Sequence, residues 1–230
     1  MAAYSRYSIF YVPAASDSRA QFGARWLGWD LNAGSAVAHL DLKNLPQDIA
    51  TLTKRPRKYG FHGTLKAPFR LAESQSEKEL MTAVHAFCET RKPIDAGGFE
   101  LALLGRFLAF VPKHQSAELQ DLARDVVIGF DRYSAPLSED DLMRRHKQKL
   151  SQQQEEYLQR WGYPHVLDAF RFHMTLSGSF GVEELLEVQK QLSPIVAPLL
   201  DAPWIIDALS VCGEREDGNF EVIERVPFGG

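Results

Sequence analysis

Residues 61–65 read FHGTL, inside KYGFHGTLKAPF, and residues 172–176 read FHMTL, inside RFHMTLSGSF. Phe, His, Thr and Leu recur in one register, and a further Phe follows each phrase at Phe69 and Phe180. In a strand, residues i and i+2 project to the same side, roughly 6.6–6.8 Å apart. His62 and Thr64 therefore share one face while Phe61 and Leu65 share the other; His173 and Thr175 likewise oppose Phe172, Met174 and Leu176. Each phrase is an amphipathic strand with imidazole and hydroxyl on its polar side. A single His-x-Thr is more often a satisfied histidine on a half-exposed strand than a site. Packing accounts for repeating Phe and Leu, but gives no reason to repeat a polar pair that is costly to bury. If the two polar faces converge, two imidazoles and two hydroxyls surround one cavity.

The surrounding pattern carries the phrases in similar settings. YSIFYV (residues 7–12) is aromatic and β-branched and stops at Pro13, so a first strand is predicted. Asp17 is placed to cap a helix through Phe22, Trp26 and Leu27, and a second helix is expected over Pro46–Thr53, before a basic turn KRPRKYG. Leu80, Val84 and Phe87 keep a helical period, and residues 99–104 and 107–111 form a hairpin turned at Gly105 and Arg106. A helix over SAELQDLARDVVIGF follows. The segment 138–160 opens with a capping box, Ser138 and Asp141, and carries a narrow apolar stripe of Leu142, His146 and Leu150. It is expected as one partly exposed helix, an arm beside a cleft, with RRHKQK a solvated face. A helix over Val182–Leu192 and two closing strands, WIIDALSVC and FEVIERV, complete the chain. Strands and helices alternate in both halves, each half holding one copy of the phrase, which points to an internal duplication packed as one unit over residues 1–230.

Composition narrows the function. With 230 residues, 45% of them hydrophobic, the chain can bury a sizeable core. A formal net charge of -4 and a pI near 6.0 leave no electrostatic footprint for long nucleic acid or an anionic membrane. Cys88 and Cys212 are too few for a disulfide framework or a zinc ribbon, so a reduced, cytoplasmic protein is expected. The apolar run Ile9–Val12 is shorter than the core of a signal peptide, and no later run is long enough to span a bilayer. His165, Asp168 and His173 match neither H-E-x-x-H nor a zinc-finger spacing, so no metal site and no cofactor is expected. Walker, G-x-G-x-x-G and G-x-S-x-G motifs are absent from the sequence.

Two opposed histidines suit displacement at phosphorus. One neutral imidazole accepts a proton from the attacking water or hydroxyl; the other, as imidazolium, protonates the leaving oxygen. The threonine hydroxyls can donate to the non-bridging oxygens, where charge needs stabilisation in the transition state. Lys66 and Ser177 occupy the next same-face positions beyond the threonines, and Arg171 the one before His173, so each is a candidate for phosphate binding or, equally, a solvated strand end. Tyr7 and Tyr11 share a face of the first strand and are weaker substrate-binding candidates, since buried tyrosines with satisfied hydroxyls are commoner.

With HGTL and HMTL in view, the chain resembles the 2H phosphoesterase superfamily, defined by two His-x-Thr/Ser-x motifs. More narrowly, YGFHGTLKAPF, YSIFYVP and FHMTLSG are similar to its bacterial branch associated with phosphonate metabolism. The resemblance implies a bilobal α+β fold: two related β/α lobes, with mainly antiparallel sheets, facing a central cleft. It also implies metal-independent activity on cyclic phosphodiesters or related phosphoester bonds, with His62 and His173 as the acid/base pair and Thr64 and Thr175 holding phosphate. The expected partner is a small phosphate ester, such as a ribose cyclic phosphate formed in phosphonate breakdown, with no membrane and no obligate protein partner. Alternatives are processing of RNA 2',3'-cyclic phosphates or 2'-5' ligation, and a non-catalytic module that senses a phosphorylated metabolite.

Overall fold

The computed structural model describes residues 4–145 and 149–230. Its centre is a strand, β4 (Gly63–Phe69), that follows immediately on the first histidine. On one side β4 pairs antiparallel with β1 (Tyr7–Tyr11), and β1 pairs with β10 (Ala208–Glu214), which forms a hairpin with β11 (Phe220–Pro227). On its other side lies β8 (Met174–Thr175), which pairs with β7 (Phe107–Pro112) and, through it, β6 (Phe99–Leu104). The result is an α+β fold built on a seven-stranded antiparallel sheet in the order β11-β10-β1-β4-β8-β7-β6.

The sheet divides into four strands and three, joined where Gly63 stands opposite Met174. The two parts are not the two halves of the chain: the first phrase lies with the C-terminal hairpin, the second with the middle one. The His-x-Thr strands are thus neighbours in one sheet, and their polar sides converge because they share a face.

Helices cover the other face. α1 (Ser18–Leu27) is capped by Asp17, whose side chain accepts from the Arg19 N–H, and ends at Gly28 in the left-handed conformation. α2 spans Ile49–Arg57, so the expected basic turn is helical and carries Pro56 within it; its start is set by Asp48, which caps Thr51. α3 (Glu77–Glu89) opens with a reciprocal capping box between Ser76 and Glu79. α4 (Ala117–Gly129) presents Leu119, Leu122 and Val126 inward, and α7 runs from Val182 to Leu200, beyond the expected Leu192, despite Pro194 and Pro198. Short pairs β2 (Trp29–Asp30) with β3 (Ser35–Ala36), and β5 (Ile94–Asp95) with β9 (Ile205–Ile206), close the periphery. The polar segment is two helices, α5 (Glu139–Arg145) and α6 (Gln152–Trp161), because Ser151 starts a second capping box with Gln154. His146 lies outside the described residues.

The main core joins Tyr7, Ile9, Tyr11, Phe61, Leu65, Phe110, Phe172, Met174 and Leu176 to the inward residues of the helices. Among the described residues no helix is long and apolar enough to cross a membrane.

Candidate active site

The two phrases fold alike. Burial alternates residue by residue along Phe61–Leu65 and along Phe172–Leu176, with Phe, Gly or Met, and Leu buried and the His-Thr pair partly open. Both imidazoles make the same local bond: Nδ1–H of His62 donates to the Gly60 carbonyl at 3.0 Å, and Nδ1–H of His173 donates to the Arg171 carbonyl at 2.8 Å. A carbonyl can only accept, so each bond fixes the tautomer and leaves the Nε2 lone pair available in the neutral ring. Gly60 reaches the required turn with φ of 67°, in the left-handed region open to glycine.

Antiparallel register carries the pairs together. With Gly63 opposite Met174, His62 lies beside Thr175 and Thr64 beside His173. The histidines are then diagonal neighbours on one face, on the order of 7–8 Å apart with their Cβ atoms somewhat closer. Ala109, opposite Thr175 in β7, keeps this part of the face free of a large side chain.

The environments differ. His62 is stacked on Phe10, with centroids 3.8 Å apart, and its Nε2 accepts the Thr64 hydroxyl at 3.0 Å. Burial, joined by charge on His173, lowers its pKa to about 4 against the pull of the Gly60 carbonyl. His173 is also lowered by burial, against the opposing effect of the Arg171 carbonyl; its ring lies beside Phe107 at 5.6 Å. Among the described residues, His173 Nε2 and the Thr175 hydroxyl make no protein hydrogen bond.

The remaining sequence candidates are placed elsewhere. Tyr7 and Tyr11 lie on the helix-covered face: the Tyr7 hydroxyl donates to Glu77 at 2.8 Å, and that of Tyr11 donates to the Ile205 carbonyl and accepts from Trp204 Nε1, both at 3.2 Å. The Ser177 hydroxyl is buried, accepts the Leu108 N–H and donates to the Gly178 carbonyl, each at 2.9 Å, and so fastens the chain to β7. Arg171 is exposed and its guanidinium donates to the Asp168 and Phe170 carbonyls; its backbone carbonyl is what meets the histidine. Register shifts on either side of Ile9 put Lys66 opposite that core residue, breaking the alternation past Thr64. Lys66 lines a neighbouring pocket whose wall holds none of the four motif side chains. Phe10 and Gly60 went unread in the sequence, although the glycine immediately before FHGTL is the signal for the second. Among the described residues no group of three or more His, Cys, Asp or Glu side chains is arranged to hold a metal ion.

Comparison with known proteins places the chain in a family. Residues 64–221 match the family described as Protein of unknown function (DUF1045). The chain is 34% identical to the ribose 1,5-bisphosphate phosphokinase PhnN of Janthinobacterium sp. (strain Marseille), over 98% of its own length and 51% of the relative's. It is 32% identical to the protein of the same name from Laribacter hongkongensis (strain HLHK9), over 75% of its own length and 40% of the relative's. The chain thus spans about half the length of the curated relatives it matches. A solved structure described as a phosphoesterase aligns over 98% of both chains at 11% identity with a TM-score of 0.43.

Proposed function

The chain belongs to the DUF1045 family, a 2H phosphoesterase-like family, and from that premise we propose that it hydrolyses a small cyclic phosphodiester by two-histidine acid–base catalysis. The observation that carries the reading is the pair of imidazoles on adjacent strands, each with Nδ1 tied to a backbone carbonyl two residues upstream and Nε2 left for chemistry.

His62 is the base and His173 the acid. His62 is the more reluctant to charge, being stacked under Phe10 and pushed further down once His173 is charged. When an anionic phosphodiester enters, its charge favours the imidazolium form of His173, while the Thr64 hydroxyl turns from His62 Nε2 to a non-bridging oxygen. His62 Nε2 then accepts a proton from water as its oxygen bonds to phosphorus. The ring P–O bond breaks, and the departing oxygen takes its proton from His173. Thr175 supplies a second donor to the phosphoryl oxygens. The scheme uses no metal.

A ribose cyclic phosphate is the proposed carrier. Opening a 5-phosphorylated ribose 1,2-cyclic phosphate at the 2-oxygen gives ribose 1,5-bisphosphate, the compound in the relatives' name. This chain has no Walker sequence for a kinase step, so we place that step in the part of those relatives that it does not span. The test is phosphorus NMR of ribose 1,2-cyclic and nucleoside 2',3'-cyclic phosphates, incubated in chelator with wild type and with folded His62→Ala and His173→Ala. Ring opening of the ribose compound by wild type, and its loss in both variants, is expected. Turnover of the nucleoside compounds alone transfers the chemistry to RNA ends, and ligand broadening without turnover of any compound reduces the site to a binding module.

A further inference from the structure

The sheet ends on two edge strands, β11 and β6, and only one of them is guarded. Along β11 the N–H groups of Phe220 and Val222 donate to the Lys58 and Leu31 carbonyls at 2.7 and 2.9 Å, Glu221, Glu224 and Arg225 supply charge, and Pro227 ends the strand. Such devices keep natural sheets from pairing edge to edge. From Leu101 to Leu104, by contrast, β6 is uncharged and only partly buried. The turn at Gly105 and Arg106 makes Leu104 and Phe107 a hydrogen-bonded pair, so Leu104, Ala102 and Glu100 aim their backbone groups at β7 while Leu101 and Leu103 aim theirs outward. Gln189 shows the same sense, its side-chain amide donating to the Leu101 carbonyl at 2.8 Å. Among the described residues, the N–H groups of Leu101 and Leu103 and the Leu103 carbonyl have no partner.

The helix beside this edge is uncovered as well. Gln189 fixes the flank of α7 that borders β6, and on that flank, one and two turns back, stand Leu186 and Val182, 50% and 49% exposed. The opposite flank is taken, Glu184 accepting from Gln47 at 3.1 Å. Charge borders the apolar flank on its solvent side: Glu183, Glu187 and Lys190, the last two 3.8 Å apart and exposed. An uncharged strand edge and an apolar helix flank thus lie side by side as one surface without a cover.

We infer that the cover is a second copy of this chain, related by a two-fold axis that passes through the sheet edge at Ala102, perpendicular to the sheet. Antiparallel pairing is self-complementary there. Leu101 and Leu103 of one copy exchange N–H to carbonyl bonds with Leu103 and Leu101 of the other, and the Leu101 carbonyl keeps a second lone pair beside its bond from Gln189. The same axis sets the two α7 helices antiparallel, Leu186 toward Leu186, and brings Lys190 of each copy toward Glu183 and Glu187 of the other. A partner of different sequence has to match both the bare edge and this order of charges; a second copy matches them by symmetry. The sheet then runs on across the pair, with both histidine faces on one side and both α7 helices on the other. The surface does not depend on the chemistry at the histidines.

Sedimentation equilibrium of the full chain at micromolar concentration tests the pair, with a mass near twice 25.9 kDa expected. Leu186→Lys and Ala102→Lys each set like charges across the axis and should weaken association about tenfold or more. Neither side chain is buried, so far-UV circular dichroism should stay as in wild type. Leu186→Lys mixed with Leu186→Glu should restore the pair, opposite charges now meeting. Residue-resolved hydrogen exchange should show the Leu101 and Leu103 amides slowing as protein concentration rises, in wild type and not in Ala102→Lys. A chain that stays monomeric, or a dimer indifferent to both substitutions, overturns the surface. A dimer broken by Leu186→Lys whose Leu101 and Leu103 amides exchange at the same rate at every concentration overturns the strand pairing.

Discussion

FHGTL and FHMTL differ at one position, and the fold explains it. Gly63 and Met174 stand opposite each other across the seam between the two parts of the sheet, on the face turned to the core. Met174 fills that space and is fully buried, whereas a Cβ at position 63 would overlap the ring of Phe172. The Phe of the second phrase occupies the room left by the glycine of the first. The two copies are alike on their polar sides and complementary on their apolar sides. The polar sides diverge in a second respect: Thr64 closes on His62, while Thr175 and His173 Nε2 are open. Similar phrases thus give one sheltered imidazole and one more accessible one, the difference on which the proposed base and acid roles rest.

The largest effect that can break this comparison is on rate. His62→Ala and His173→Ala should each lower turnover by about 10² to 10⁴, roughly 2.7–5.5 kcal/mol of barrier. The two losses should differ in pH dependence. A base must be neutral, so the acid limb of kcat/KM belongs to His62, lowered to about 4; an acid must be protonated, so the alkaline limb belongs to His173, also below its ordinary value of 6.5. Wild type should show a bell with its optimum below about pH 6.5, reporting macroscopic values for the pair. Loss of the acid limb in His173→Ala rather than His62→Ala would reverse the assignment.

Next is the seam. Met174→Ala should cost about 2–5 kcal/mol in urea unfolding, as a fully buried side chain is truncated. Gly63→Ala should cost about 1–3 kcal/mol by forcing Phe172 to move. If the seam is as described, Gly63→Ala combined with Phe172→Leu should recover part of that loss, because the shorter side chain makes room. Strictly additive losses would mean that Phe172 does not occupy the space.

Much of this was legible in residues whose neighbours are local. Asp17 starts its helix where it does because a short polar side chain meets an N–H group two residues on. The β6–β7 hairpin turns at Gly105, and the alternation within each phrase gave both His-Thr pairs. What could not be seen locally was pairing between distant segments. The C-terminal hairpin docks on β1, so the two parts of the sheet interleave along the chain. The shifts around Ile9 take Lys66 out of the expected alternation, and Ser177 is consumed by a bond to Leu108, 69 residues away. Phe10 reaches His62 from another strand, which no spacing near His62 reveals.

Phe10 also sets a stability term. A histidine whose folded pKa lies at about 4, below its unfolded 6.5, is one that the unfolded chain protonates first as pH falls. Its contribution is complete above about pH 6.5 and lost as pH drops to about 4, with an upper limit of about 3 kcal/mol. Glu214 acts in the same sense in a lower window. Burial raises its pKa, but hydrogen bonds from Arg6, Lys58 and Ser5 outweigh that and hold it at about 2, so its contribution is lost below about pH 4.5. Urea unfolding between pH 7.5 and 4.5 should therefore show wild type losing stability faster than His62→Gln. Parallel slopes would mean that His62 is not sheltered.

The smallest effect tests the difference between the hydroxyls. Thr175→Val and Thr64→Val each remove a proposed donor to the phosphoryl oxygens, worth up to about 3 kcal/mol of barrier. Only Thr64 must first leave His62 Nε2, so part of what it gives the transition state is offset by the bond it surrenders. Removing it also frees the base in the resting protein. Thr64→Val should therefore slow kcat/KM less than Thr175→Val, by a few-fold, and the double variant should lose about the sum if the two donors act independently. A larger loss at Thr64 would mean that its bond to His62 orients the base, making that hydroxyl a positioning group rather than a phosphate donor.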